Sequence, residues 1–158
     1  MSWTPAQIKA AYSALSPAPA SLEAAATALN AQTTTVTVPV PIASVAAYLG
    51  LVGKLGAIEA FATSPPSLAS AQAVAAAQGL WEMIQSPDAF PPFDMPNATV
   101  AASVEALLAT LVSPGTGVTA PIDSTDQATI LGMASQMVPV WQPAVTAGDV
   151  QTALALVP

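Results

Sequence analysis

The sequence predicts a mainly α-helical fold, a small bundle of about five or six short helices with Pro-rich joints. Apolar residues recur every three or four positions along most of the chain, which is the spacing of one helix face. Sixteen prolines divide the chain into short segments, because proline does not continue a helix. By contrast, the stretch 33–41 alternates with period two and predicts one extended arm or edge strand. The length of 158 residues fits a single domain.

Two helices are predicted before that stretch. The sequence TPAQ at 4–7 combines a capping-box pair with proline at the first helical position, and Ile8 and Tyr12 follow on one side. A second helix is expected from residue 19 or 21 to residue 31. Glu23 lies in its first turn, where a negative charge is favourable to the helix dipole.

The extended segment reads TTTVTVPV at 33–40, rich in β-branched residues. Pro39 and Pro41 remove two backbone donors, which restricts the segment to an edge strand or an arm. An arm with unpaired backbone groups can add to a neighbouring sheet, a recurrent mode of partner capture.

Helical spacing returns from 42 to 61, although Gly50, Gly53 and Gly56 interrupt it. Each glycine costs about 1 kcal/mol relative to alanine inside a helix. Two interpretations stay open at this point. The glycines form a groove for another backbone, or the helix kinks or breaks near Gly53.

The next helix is predicted at 67–84, after the break SPPS, and a Pro-rich loop follows at 86–96. Two phenylalanines in the loop, Phe90 and Phe93, indicate that it folds back on the core; the alternative is a contact surface. The predicted core side of the helix comprises Leu68, Val74, Ala77, Trp81 and Ile84.

Asp94 or Asn97 is expected to cap a further helix, and a Gly/Pro linker follows it at 113–121. The apolar residues of this helix recur with the spacing of one face of an amphipathic helix. They are Val100, Val104, Leu107, Leu108 and Leu111.

Two capping boxes predict the last helices. STDQ at 124–127 opens one of them, and Thr146 with Asp149 opens the other. The first is expected to carry Ile130, Leu131, Ala134 and Met137 on its apolar side.

The composition argues against most catalytic chemistry. The chain has no His, Cys or Arg, and Lys9 and Lys54 are its only basic residues. Proton shuttling at neutral pH usually uses His, thiol chemistry uses Cys, and bidentate anion binding uses Arg. The sequence therefore predicts a non-enzymatic protein with no catalytic residue, no cofactor and no metal site.

The closest pair of carboxylates is Asp123 and Asp126. Their spacing suits the first turn of a helix, and we favour that over a general acid–base pair. No Ca²⁺-loop pattern surrounds them. Lys54 lies in an apolar helix, where a solvent-reaching side chain is favoured over a buried Schiff-base lysine.

The net charge of −7 disfavours nucleic acid and anionic membrane surfaces, because both attract Lys and Arg. The longest uncharged stretch lies between Glu23 and Lys54. Its apolar part is too short to cross ~30 Å of hydrocarbon, so no membrane span is predicted.

Only 7% of the residues are charged, which leaves apolar surface poorly protected against association. We therefore expect a homo-oligomer or part of a larger assembly; the alternative is a monomer with an Ala-rich surface. The candidate interface residues are Val36, Val38, Val40, Phe90, Phe93 and Trp141.

Several segments taken in order resemble small accessory proteins encoded among the structural genes of tailed bacteriophages. They are LNAQTTTVTVPVPIASVAAYLGLVGKLGAIEAFA, AAQGLWEMIQSP, NATVAASVEALLATLV and the closing VTAGDVQTAL. The resemblance implies a virion protein in the capsid, neck or tail, assembled in the host cytoplasm with other virion proteins or with itself. The alternative is a helical adaptor or secreted interaction module that binds one partner chain.

Overall fold

The computed structural model describes residues 3–156 and confirms the mainly helical fold. In that range the chain forms eight α-helices and a two-stranded antiparallel sheet, a somewhat higher helix count than predicted. The helices are α1 (Pro5–Ser13), α2 (Leu22–Asn30), α3 (Ile42–Leu51), α4 (Leu55–Thr63), α5 (Ala71–Gln85), α6 (Ala98–Val112), α7 (Ser124–Gly132) and α8 (Ala147–Leu154). The strands are β1 (Thr33–Thr37) and β2 (Ser135–Pro139), and a short 3₁₀ helix spans Pro87–Ala89.

The chain divides into two compact units. The described parts of Met1–Val36 and Met137–Pro158 form the first unit, which thus combines two distant stretches of sequence. Thr37–Gln136 forms the second unit, and the predicted linker 113–121 is an irregular segment within it.

In the first unit α8 packs against α1 and α2. The capping boxes that open α1 and α8, made by Thr4 with Gln7 and by Thr146 with Asp149, confirm the sequence prediction. The buried core comprises Ile8, Ala25, Ala26, Leu29, Trp141, Val145, Val150 and Ala153.

In the second unit α5 packs against α3, α4 and α6, and α6 also contacts α7. Of the two predicted caps, Asp94 and Asn97, it is Asn97 that caps α6: its side-chain oxygen accepts hydrogen bonds from two amides of the first turn. The largest fully buried side chains of this unit are Val40, Ile42, Val45, Leu49, Ile58, Leu80, Leu108, Leu111, Ile122 and Ile130.

The predicted helix at 42–61 is broken, and Gly53 is the cause. Its φ of 72° is left-handed, a conformation that glycine adopts without strain. The amide of Lys54 donates to the carbonyl of Leu49 at 2.8 Å, and that of Gly53 to Gly50 at 3.2 Å. This pair of bonds is the Schellman motif that ends a helix. Of the two interpretations, the structure shows the break.

The predicted start of α5 was wrong. Ser70 caps the helix, with its hydroxyl accepting from the amide of Ala73 at 3.1 Å, so α5 begins at Ala71 and not near 67. Leu68 therefore lies outside the helix and is 69% exposed, which removes it from the predicted core face.

The predicted boundaries of α7 were also wrong at both ends. Asp123 caps the helix one position before the expected Ser124. The helix ends at Gly132, and Met137, expected on its apolar face, lies in β2 with 71% of its surface exposed. Pairing with a strand far away in sequence overrides the local helical spacing, and local periodicity carries no signal of such a partner.

β1 forms within the predicted extended segment and is paired with β2, so it is an edge strand and not a free arm. At the two ends of the ladder the amide of Val38 donates to Ala134 at 2.7 Å and that of Val140 to Gln32 at 3.0 Å. These bonds fix the register: even-numbered residues direct their backbone groups at the other strand, and odd-numbered residues direct theirs outward. Pro39 lies at an outward position, where it removes no bond of the ladder.

No single helix in residues 3–156 is both long and apolar enough to cross a membrane. Helices α3 and α4 pass that test only when taken together, and they are bent by 106° at the break between them.

Candidate functional site

The second unit contains a cluster of four polar side chains, Tyr48, Lys54, Asp123 and Asp126, which we call the polar cluster. Tyr48 lies in the last turns of α3, and Lys54 directly follows the left-handed Gly53. The two aspartates come from the start of α7. The Schellman turn thus places the lysine beside a helix N-terminus.

The two aspartates form a reciprocal capping box. The Oδ1 of Asp123 accepts from the amides of Thr125 and Asp126 at 2.9 and 3.0 Å. The Oδ2 of Asp126 accepts from the amide of Asp123 at 3.0 Å. These bonds satisfy amides that a helix N-terminus otherwise leaves without partners. The preferred sequence interpretation, first-turn carboxylates, is confirmed, with Asp123 as the cap.

Two side chains from the α3–α4 region complete the cluster. The Nζ of Lys54 lies 3.3 Å from the Oδ2 of Asp123 and 3.5 Å from the Oδ2 of Asp126. The hydroxyl of Tyr48 donates to the Oδ1 of Asp126 at 2.9 Å. Asp126 is only 4% exposed, so its charge is stabilised by these donors and not by water.

Hydrogen bonds and charges within the polar cluster shift the pKa of Lys54, Asp123 and Tyr48. The hydrogen bond to Asp123 raises the pKa of Lys54 above its ordinary 10.5. The amide of Asp126 lowers the pKa of Asp123 below 3.8, and Lys54 adds to that effect. The Thr129 hydroxyl lowers the pKa of Tyr48, but the hydrogen bond to Asp126, partial burial and the nearby negative charges outweigh it and leave that pKa above 10.0.

The polar cluster suits a structural role. Each carboxylate oxygen of Asp126 accepts from a protein donor, and the lysine is paired twice. In the described part of the chain, every buried side-chain nitrogen or oxygen has a hydrogen-bond partner. Residues 3–156 also hold no group of three or more acidic side chains placed to bind a metal ion. The arrangement ties the α3–α4 turn to the start of α7.

Two of the candidate interface residues are corrected by their burial. Val40 is 1% exposed in the core of the second unit, and its backbone pairs with Phe93 through two bonds of 2.9 Å. Trp141 is 7% exposed in the core of the first unit, with its indole N–H donating to Gln32 at 3.0 Å. Neither side chain has surface to offer a partner.

The other four candidates, Val36, Val38, Phe90 and Phe93, are partly buried. Phe93 lines a surface groove of about 280 Å³ with residues of α6. Phe90 lines a second groove of about 300 Å³ beside the start of α3. The predicted set is therefore dispersed: two members lie in the cores, Val36 lies in β1, Val38 directly follows it, and the two phenylalanines line separate grooves.

Sequence reasoning missed the most exposed apolar side chains. Leu51 is 86% exposed and Val52 41%. They lie at the end of α3, directly before Gly53, and we call them the apolar tip. Choosing the helix-break interpretation at Gly53 would have placed them at a turn. The pairing of Lys54 with Asp123 left no local signal, because the two residues are 69 positions apart.

Comparison of the chain with models of known protein families, with curated proteins and with solved structures gave no match.

Proposed function

We propose that this chain is a non-enzymatic structural component of a tailed-phage virion, in the capsid, neck or tail, and that it acts through protein–protein contacts. Two lines of support lead to it. Four segments of the sequence, taken in order along the chain, resemble accessory phage proteins. The described surface also combines few charges with exposed apolar side chains.

The observation that carries the proposal is the apolar tip, Leu51 and Val52. A leucine with 86% of its surface in water gains nothing from folding of its own chain, whereas contact with another protein would remove that surface from water. The charged fraction of 7% provides little protection at such a site. A neighbouring protein that covered the tip would bury both side chains together.

The polar cluster supports the non-enzymatic part of the proposal. Catalysis by carboxylates requires a group that is free to exchange a proton with a substrate. Here the buried carboxylate of Asp126 is held by Tyr48, by Lys54 and by the amide of Asp123. These bonds use the Asp126 carboxylate to stabilise the fold.

Particles purified by density-gradient centrifugation from the strain that encodes this chain test the proposal. We expect the chain in the particle band, at a fixed ratio to the major capsid protein by mass spectrometry. Recovery only in the soluble fraction contradicts a virion role. Recovery there with one defined partner chain favours the adaptor alternative.

A pair of variants tests the apolar tip directly. Leu51→Asp is expected to reduce incorporation strongly, because it places a charge where a neighbour would bury a leucine. Ala57→Asp adds the same charge at another exposed position, in α4, and serves as the control. Equal incorporation of both variants would show that the tip makes no contact. Circular dichroism checks that both variants are folded.

A further inference from the structure

The outer edge of β1 has backbone groups available for another strand. The register directs the N–H and C=O groups of Thr33, Thr35 and Thr37 away from β2, and all three residues are exposed. The strand order contains β1 and β2 alone, so no strand in the described part of the chain occupies that edge. The outward edge of β2 offers fewer donors, because Pro139 lacks an N–H there.

The edge also lacks the charged residues that commonly prevent pairing. Natural edge strands carry lysines or inward-pointing charges that prevent association. Here no charged residue occurs between Glu23 and Lys54, and none occurs between Asp126 and Asp149, a range that contains β2. Proline follows the strand at Pro39 but does not interrupt its three outward threonines.

The neutrality and self-complementarity of the edge favour a second copy as the occupant. Two copies that each carry −7 repel one another wherever acidic surfaces meet. Pairing of β1 with itself brings only neutral residues together. The edge is also self-complementary, because an antiparallel pair centred on Thr35 places Thr33 opposite the partner's Thr37. Cross-strand threonine pairs are favourable in sheets.

We propose that two copies of this chain form a symmetric dimer by antiparallel pairing of their β1 strands about Thr35, which extends the sheet to four strands. Each facing pair of outward residues then exchanges two backbone hydrogen bonds. The inference rests on the proposed assembly role and names the first partner in it as the chain itself.

Light scattering on the purified full chain over a wide concentration range tests the dimer. We expect twice the 15.7 kDa mass of one chain. Thr35→Pro removes the central outward donor but no bond to β2, so its mass is expected to fall to that of one chain. Thr35→Val keeps the donor and is expected to remain dimeric. A monomeric wild type, or a dimeric Thr35→Pro, overturns the proposal.

Two oppositely charged variants of Thr35 keep the test valid if the proline variant does not fold. Thr35→Lys and Thr35→Glu each place like charges opposite one another at the two-fold axis, so each is expected to be monomeric at low salt. Mixing the two variants is expected to restore a dimer that contains one copy of each. Failure of the mixture to dimerise, with both chains folded by circular dichroism, contradicts pairing through β1.

The dimer and the virion role fail in different ways. A chain that is monomeric in solution but present in particles overturns the dimer alone. A dimer that never appears in particles overturns the virion role alone. A mass above that of a dimer, or a complex with a different protein only, contradicts the closed two-fold pairing.

Discussion

The Nζ of Lys54 lies 3.3 Å from the Oδ2 of Asp123, and this ion pair joins the turn after α3 to the cap of α7. The side chain of Lys54 is 30% exposed and that of Asp123 57%. Solvent screens an exposed pair of this kind, so its own contribution to stability is small. Asp126, buried behind it, is the member whose loss we expect to matter most.

The first prediction concerns Asp126. Asp126→Ala removes the acceptor for the Tyr48 hydroxyl and for the amide of Asp123. Loss of a buried hydrogen-bond partner costs about 1–3 kcal/mol, so the free energy of unfolding is expected to fall by that amount. Asp126→Asn retains an oxygen acceptor and is expected to lose less. Urea unfolding followed by circular dichroism measures both; an unchanged midpoint for the alanine variant would show that the cluster does not support the fold.

The second prediction is the acid limb of stability. Asp123 has a lowered pKa because of the Asp126 amide and Lys54, and Asp149 has one because of the Thr146 hydroxyl and amide. A carboxylate of this kind stabilises the folded state above its unfolded pKa of 3.8, and the contribution is lost as pH falls through the lower folded value. Stability is therefore expected to fall with acidification below about pH 4.

Substitution isolates these contributions. Asp123→Asn and Asp149→Asn are each expected to flatten the acid limb of the unfolding curve. Glu59→Gln removes the same charge on the exposed surface of α4, outside the polar cluster, and is the control. Thermal unfolding at a series of pH values supplies the curves. Equal slopes for wild type and Asp123→Asn would contradict a lowered pKa of Asp123 in the folded state.

The third prediction concerns the stability of the fold at high pH. Lys54 and Tyr48 both have raised pKa values, so the proton that each carries is bound more tightly in the folded state. Their stabilisation is complete below the ordinary values of 10.5 and 10.0 and is lost as pH rises through the folded values. Lys54→Met is expected to weaken the pH dependence there, while Lys9→Met serves as the matched control. The same slope in all three proteins at high pH would exclude this linkage.

Local signals predicted much of the fold, because capping is a local interaction. Thr4 with Gln7, Asn97, and Thr146 with Asp149 each cap a helix within three residues of their partners, and all were found from the sequence. The strand β1 was found for the same reason, since its period-two pattern is contained in five residues.

The remainder depended on distant parts of the chain. β2 reads as the end of a helix until its pairing with β1 is known. Trp141 is a candidate interface residue from the sequence, and only the assembled core of the first unit shows that it is buried. The polar cluster was recognised only as a cap, because Lys54 reaches Asp123 across 69 positions. Three-dimensional packing supplied these relationships.

The fourth prediction tests the corrected start of α5. Ser70→Ala removes the hydroxyl that accepts from the amide of Ala73, and loss of such a cap costs about 1 kcal/mol. Ser67→Ala alters the residue where the sequence places the helix start, which is exposed and precedes the helix, so its stability is expected to stay near that of wild type. Chemical unfolding of the two variants side by side distinguishes the two starts. A larger loss for Ser67→Ala would restore the earlier boundary.

The last prediction concerns the glycines between α3 and α4. Gly53 holds a φ of 72°, and nothing lies within 4 Å of the position that a Cβ would occupy. Gly53→Ala is therefore expected to cost about 1–2 kcal/mol through backbone strain and not through a clash. Gly56 lies inside α4 with the same open space but no positive φ, so Gly56→Ala is expected to be neutral or to stabilise by up to about 1 kcal/mol. Thermal unfolding compares the two alanine variants directly. Changes in stability of opposite sign support a glycine required for the turn at Gly53. Strong destabilisation by both variants would indicate that another backbone packs against this face, which is the groove interpretation of the sequence.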